Sequence, residues 1–326
     1  MTDRLAIYRG TSLDPYENLA VEETLCGSVP EGLMILYLWQ NRNTVVIGRN
    51  QNAWKECRTD LLKEEGGLLA RRLSGGGAVF HDLGNLNFTF IVNSEDYDLD
   101  RQLSVIEDAC RSLGVAASRS GRNDVLAEGR KFSGNAFYSH RDKSYHHGTL
   151  LVSVDTEKLG RYLRPSQAKL RAKGVDSVHS RVVNLSELRP GLTVKDLSSA
   201  MEESFQRVFG MKAEILPQGY ADPERVAVLR ERNASWEWNY GRQLPMGAVF
   251  EERFAWGEIR AELDIPDGTV RSAGIFTDSM DWTLAERLKA ALAGARFTKE
   301  DLALRISASD LDHKDDLVRL FTGQDK

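Results

Sequence analysis

Arg71-Arg72-Leu73-Ser74-Gly75-Gly76-Gly77-Ala78-Val79-Phe80-His81-Asp82 is the stretch around which the rest of the chain is arranged. Three consecutive glycines are costly as mere punctuation, because each loses much backbone entropy on folding. Their physical use is to let backbone N–H groups approach a bound anion or carboxylate closely. The arginines and Ser74 add further donors. The run lacks the Gly-Lys-Ser/Thr end of a Walker loop and the GxGxxG spacing of a dinucleotide fingerprint. On the glycines alone, a tight strand connection is an equal reading.

Working outward, LLARRL (68–73) and LNFTFIV (86–92) flank the glycines and read as strands. LMILYLW (33–39) and TVVIG (44–48) read as two more, split by a turn at Asn41-Arg42-Asn43. Asp14-Pro15-Tyr16-Glu17 predicts a helix start, with Asp14 as cap, Pro15 at the first helical position and Glu17 closing a capping box. That helix is expected to reach about Leu25 and stop near Gly27. Leu103, Ile106, Cys110 and Leu113 recur at helical spacing over 99–113, before Gly114. DVLA (124–127), KFSGNAF (131–137) and HHGTLLVS (146–153) read as strands. Thr193 with Asp196 caps a helix that runs to Phe209 and Gly210. Past Trp238 the texture becomes Gly-, Pro- and polar-rich. A hairpin (253–264 with 269–277, turning at Pro266-Asp267-Gly268) and two or three short helices follow. Strands and helices alternate irregularly, which argues for α+β with a mixed sheet rather than a doubly wound parallel one. The expected boundaries are a large domain over 1–241, a linker over 242–249 and a small α+β domain over 250–326.

The 326 residues, 41% hydrophobic and 28% charged, suit a globular protein. No apolar run approaches the roughly 18–20 residues that span a bilayer, and the N-terminus lacks a signal-peptide pattern. Three dispersed cysteines, Cys26, Cys57 and Cys110, form no metal-like pair and no disulfide framework, so a cytoplasmic setting is expected. The net charge of −5 is uneven: residues 250–326 hold 11 Lys/Arg against 16 Asp/Glu, leaving 32 of each in 1–249. Within that neutral part, 158–173 carries Lys158, Arg161, Arg164, Lys169, Arg171 and Lys173 and no acid. Such a face is a solvated helix surface or a dock for an acidic protein. Its aromatics are too few for nucleic-acid binding.

Two more stretches carry chemistry. Gly121-Arg122-Asn123-Asp124 precedes Arg130-Lys131-Phe132-Ser133-Gly134-Asn135. Asn123 and Asp124 are suited to a base, or Asp124 to a metal ion. Lys131 and Phe132 face opposite sides of a strand. With Phe132 in the core, Lys131 faces a groove, where an ammonium neutralises an acyl phosphate. In Tyr145-His146-His147-Gly148-Thr149, adjacent histidines point to opposite faces and cannot share one zinc ion.

Together, RRLSGGGAVFHDLGN (71–85), GRNDVLAEGRKFSGNAF (121–137) and HHGTLL (146–151) resemble the bacterial lipoate–protein ligase A family. TVVIGRNQNAWKEC (44–57), AKGVDSVHSRVVNL (172–185) and SWEWNYG (235–241) continue the resemblance, which weakens after about residue 280. It implies a catalytic domain similar to biotin ligases and class II synthetases, joined to a small C-terminal domain. It implies an enzyme that activates (R)-lipoate with ATP and Mg2+, releasing pyrophosphate, and passes the lipoyl group from lipoyl-AMP to a lysine. The acceptors it implies are lipoyl domains of 2-oxoacid dehydrogenase E2 subunits and the glycine cleavage H protein. Leu19, Val21, Trp39, Val46, Arg72, Ser74, Gly75, Gly76, Gly77, His81 and His147 match lipoate-pocket positions. Gly77, Ala78, Val79, Phe80, Asn123, Asp124, Ser133, Gly134, Lys173, Val178 and Arg181 match adenylate positions. Lys131 matches the lysine that contacts the activated carboxyl and phosphate, and Asp124 is the candidate Mg2+ ligand. An octanoyl or lipoyl transferase of the same fold would need a catalytic cysteine, and none lies in the glycine, lysine or histidine motifs. A biotin ligase would need a Gly-Arg-Gly-Arg type loop. A module that only binds lipoate or nucleotide would release no pyrophosphate.

Overall fold

A computed structural model describes residues 2–121, 123–164, 182–240, 248–265 and 268–323. Lys169, Arg171, Lys173, Val178, Arg181, the segment 241–247 and Pro266-Asp267 therefore lie outside the described residues. The chain divides into two compact units. The first comprises 1–46, 57–70 and 79–235. The second comprises 47–56, 71–78 and 236–326.

The first unit is built on an eight-stranded mixed sheet. In chain order its strands are β1 (Arg4–Arg9), β2 (Leu33–Trp39), β6 (Asn85–Asn93), β7 (Ala117–Ser120), β8 (Asp124–Ala127), β9 (Arg130–His140), β10 (Lys143–Leu151) and β11 (Ala213–Ile215). They lie in the spatial order β11-β1-β2-β6-β10-β9-β8-β7. The first three run parallel; from β2 onward every neighbour is antiparallel. β2 is buried at every position because helices cover both faces of the sheet. One face packs on α4 (Leu99–Ser112) and α7 (Val194–Phe209), through Val105, Ile106, Phe88, Phe90 and Phe205. The other packs on α1 (Pro15–Ser28), through Leu19, Leu25, Tyr37 and Trp39, with α8 (Pro223–Ala234) against α1. A second, three-stranded sheet has the order β4 (Leu68–Arg71), β3 (Thr44–Ile47), β5 (Val79–His81).

Local chemistry explains the helix ends. Asp14 accepts from Tyr16 N at 2.9 Å and Pro15 opens α1. Glu17 departs from the expected capping box. It accepts from the Ser12 hydroxyl (2.8 Å), and the Ser12 oxygen takes the Asp14 N–H instead. α1 also runs through Gly27 to Ser28, since a helix interior tolerates one glycine. Thr193 and Asp196 do form a capping box on α7, which ends at Gly210 with φ +67°.

The second unit holds an antiparallel sheet of β12 (Ala248–Phe254), β13 (Gly257–Asp264) and β14 (Ser272–Thr277). α10 (Leu284–Leu292), α11 (Lys299–Ala308) and α12 (Lys314–Thr322) follow, around a core that includes Ile259, Leu288, Leu302 and Leu317. The short helices are as expected, and β13 pairs with β14 as a hairpin, but its first strand starts at Gly257 because the β12–β13 turn falls inside the expected 253–264. β12 was not expected: its first two residues fall in the expected linker 242–249, and as an edge strand with a charged outer face it lacks a clear apolar pattern. Among the described residues, no helix is long and apolar enough to cross a membrane.

Candidate functional site

β9 carries an irregularity that decides where Lys131 points. Its register with β8 sets Asp124 opposite Gly134 and Val125 opposite Ser133, and then jumps to Leu126 opposite Lys131. Phe132 is the extra residue of a β-bulge, which reverses the alternation of faces along the strand. Phe132 is fully buried in the core beneath α4 and α7, as expected. Lys131 lies half-buried across the backbone at Gly134, where a Cβ would stand 2.8 Å from its Nζ and 3.0 Å from its Cε. Asp124 Oδ1 is 2.7 Å from Nζ. Without the bulge, residues 131 and 134 would face opposite sides. Ser133 sits opposite core residue Val125, and its hydroxyl meets Asn135 Nδ2 at 3.5 Å.

Leu19, Val21, Trp39 and Val46 come together in the cluster beneath α1, with Val79 packed against it. Into this apolar group the fold places a carboxylate the sequence reading missed. Glu22 is 2% exposed and accepts from His147 Nδ1 at 2.8 Å and from Thr89 Oγ1 at 2.7 Å. Trp39 Nε1 donates to the same threonine at 3.1 Å. A buried ion costs several kcal/mol unless paired and hydrogen-bonded, so Glu22 and His147 require each other. The available signal was helical spacing: Glu22 stands three residues from both Leu19 and Leu25, on the apolar stripe of α1. His81 lies edge-on to Trp39 (6.1 Å) and hydrogen-bonds Asn41 through Nδ1. His146, on the other face of β10, packs among Phe88, Phe90 and Phe137. The two histidines thus face opposite sides, as expected. Phe80 packs against Tyr162 (ring centroids 5.4 Å).

The glycine-rich run lies in the second unit. Arg72 gathers its own loop: Nε donates to Ser74 Oγ at 3.0 Å, and Nη2 donates to the carbonyls of Gly75 (2.7 Å) and Gly77 (2.8 Å). Gly75 passes so close to Ser279 that a Cβ would stand 2.3 Å from its carbonyl oxygen. Gly76, at φ +88°, donates its N–H to that same oxygen at 3.0 Å. Gly77 has open space where a side chain would be. Arg71 has a different task. It is 2% exposed and donates to the carbonyls of Gly48, Arg49, Gln51, Trp238 and Asn239.

All three thiols are buried, and burial pushes each up to about 12. A thiolate nucleophile is thereby unavailable near neutral pH. At the described start of the basic run, Arg161 pairs with Glu65.

Two family descriptions match the chain. "Lipoyl protein ligase A/B catalytic domain" covers residues 14–206, and "Bacterial lipoate protein ligase C-terminus" covers residues 246–317. Among solved structures, P. falciparum LipL1 in complex with lipoate is similar over 98% of both chains, with a TM-score of 0.86 and 26% identity. A lipoate-protein ligase A bound with ATP is similar over 73% of this chain and 98% of its own, with a TM-score of 0.63 and 25% identity. The bi-partite lipoate protein ligase from Thermoplasma acidophilum, described with its E2 lipoyl domain, covers 76% of this chain and 100% of its own, with a TM-score of 0.64 and 26% identity.

Proposed function

The chain belongs to the lipoyl protein ligase A/B family and is a ligase, and on that premise we propose how its residues divide the work. Lipoate and ATP are the substrates. The lipoate carboxylate attacks the α-phosphorus of ATP, the bond to the β-phosphate oxygen breaks, and pyrophosphate leaves. A lysine of an acceptor protein then attacks the acyl carbon as the free amine, loses its proton, and expels AMP. The acceptors are E2 lipoyl domains, as in the archaeal system above, and the glycine cleavage H protein.

The observation that carries this reading is the placement of Lys131. Both first-step reactants are anions, and two unit charges about 4 Å apart repel by about 4 kcal/mol at an effective dielectric of about 20. That is about a thousandfold in rate, so a fixed cation at their meeting point is the main requirement. The bulge, Gly134 and Asp124 hold the Lys131 ammonium to one position on the sheet. Three buried thiols support direct transfer from the adenylate over a thioester route. Leu19, Val21, Trp39, Val46, His81 and His147 receive the acyl chain. Asn123, Ser133 and Gly134 serve the adenylate, and the glycine-rich loop takes the lipoate-loop role its resemblance assigns. Mg2+ needs only one or two protein carboxylates beside phosphate oxygens and water, a demand that Asp124 fits, and when bound it supplies charge neutralisation at the phosphates. A cytoplasmic setting suits three unpaired cysteines.

The test is to incubate the purified protein with MgATP and lipoate, follow pyrophosphate, and then add an unmodified lipoyl domain. Pyrophosphate release is expected, followed by a lipoyl mass gain on the acceptor. Replacing all three cysteines with alanine should leave both. No pyrophosphate above background sinks the proposal.

A further inference from the structure

His146 is not among the residues assigned above, yet its surroundings are fully specified. The ring is 0% exposed and both nitrogens are hydrogen-bonded. Nδ1 is 3.1 Å from the Oε1 end of the Gln102 amide on α4, whose N and O are interchangeable by a flip, and Nε2 is 2.8 Å from Asn135 Oδ1 on β9. Burial, chiefly, pushes its pKa down to about 3, so the ring is neutral and has one donor and one acceptor.

The neighbours decide which nitrogen is which. Asn135 Nδ2 is engaged as a donor to Asn123 O at 3.1 Å, so Asn135 Oδ1 is left to accept. Nε2 therefore carries the proton and Nδ1 accepts. Gln102 must then turn its NH2 toward Nδ1; in the opposite orientation that NH2 is buried without a partner. Asn135 passes the constraint on. Its main-chain N–H donates to Asn123 O at 2.9 Å, and Asn123 Nδ2 returns a bond to Asn135 O at 3.3 Å. The next residue, Asp124, holds Lys131.

We infer that His146 is a positioning residue: as a neutral Nε2–H imidazole it fixes Asn135 and Asn123, and through them sets Asp124 beside Lys131. A chain of directed bonds thus runs from α4 through the sheet to the ammonium. Such relays fix geometry because each amide has a single satisfying orientation. The inference rests on the ligase reading above in one respect, that the 123–124 turn serves the nucleotide.

His146→Phe tests it, since phenylalanine suits a site already lined by three phenylalanines and removes both nitrogens. In the lipoate-dependent release of pyrophosphate, KM for ATP should rise about tenfold while KM for lipoate stays within about twofold. His146→Gln places an amide NH2 near the position of Nε2–H and should recover most of the loss. Phe90→Leu, a packing change beside the same ring, should lower thermal stability at least as much and leave KM for ATP unchanged. Separately, 15N spectra of the histidine-labelled protein should show one histidine as the neutral Nε2–H tautomer from about pH 5 to about pH 8, absent in His146→Phe. An unchanged KM for ATP in His146→Phe, an equal rise in Phe90→Leu, or a Nδ1–H tautomer overturns the inference. A wild-type protein that releases no pyrophosphate overturns the ligase reading instead, and the tautomer measurement still decides the relay.

Discussion

A histidine sealed neutral between phenylalanines makes stability depend on pH. Unfolded, the imidazole takes up a proton below its ordinary value of about 6.5; folded, it resists until about 3. The unfolded state therefore binds more protons between those values, and stability falls as pH drops through that window, by about 1.4 kcal/mol per unit. From about pH 7 to about pH 5 the expected loss from His146 is roughly 2 kcal/mol. Carboxylates held low by their partners, such as Asp108 beside Arg207, Asp196 beside Thr193 and Glu251 beside Lys55, lose their contributions only further down. Urea denaturation of the wild type and His146→Phe at the two pH values isolates the histidine. The variant should lose about 2 kcal/mol less on acidification; an equal fall in both would mean the buried ring is not held neutral. Residue by residue, strand alternation made facing legible, at Phe132 in the core and at His146 and His147 on opposite sides of β10. The sequence was illegible at Glu22 and Arg71, because a lone charge in a helix or a paired arginine shows its burial only after the fold forms.

Among elements, helices with their caps written beside them were the most readable. Thr193, Asp196 and Gly210 bound α7 because each satisfies orphan groups using residues a few positions away. The bulge of β9 was hidden, since its cause is a partner strand that pairs two ways along its length. Its consequence is testable at Gly134. An alanine methyl there would meet Lys131 Nζ at 2.8 Å and its Cε at 3.0 Å, and beyond that side chain nothing nearer than Thr149 Oγ1 at 3.9 Å. The nearest obstacle is the end of a flexible side chain, so the fold should give way cheaply and stability should change by less than about 1 kcal/mol. The lysine, however, must leave its place beside Asp124. Gly134→Ala should therefore slow adenylation about tenfold, near 1.4 kcal/mol of barrier, with little change in melting temperature. An unimpaired rate would show that the position of Lys131 on β9 is not what the reaction uses.

For the molecule as a whole, a change of texture past Trp238 could be read, and the acidity of the last segment counted. What could not be read is that the second unit also takes in 47–56 and 71–78. Those stretches look like continuous strand-and-loop sequence; only long-range bonding assigns them. Arg71 is the clearest agent of that assignment. Its guanidinium donates to carbonyls in 48–51 and in 238–239, and Trp238 Nε1 donates back to Arg71 O at 2.9 Å. Carbonyls as far as 168 positions along the chain from Arg71 thus share its buried cation. Arg71→Met keeps much of the side-chain volume and abandons those carbonyls. Several buried acceptors left unpaired, at about 1–3 kcal/mol each, should cost about 3–5 kcal/mol after partial relaxation. The decisive readout is where protection is lost. Amide exchange should quicken together in 48–51, 71–77 and 236–240, while β6 and β10 keep the protection of the large sheet. Quickening confined to residues 70–72 would mean the three stretches are held by packing alone, and the second unit would then owe its composition to the tryptophans around Arg49, at 5.6 Å from Trp238 and 5.3 Å from Trp282, rather than to the arginine beside the glycines.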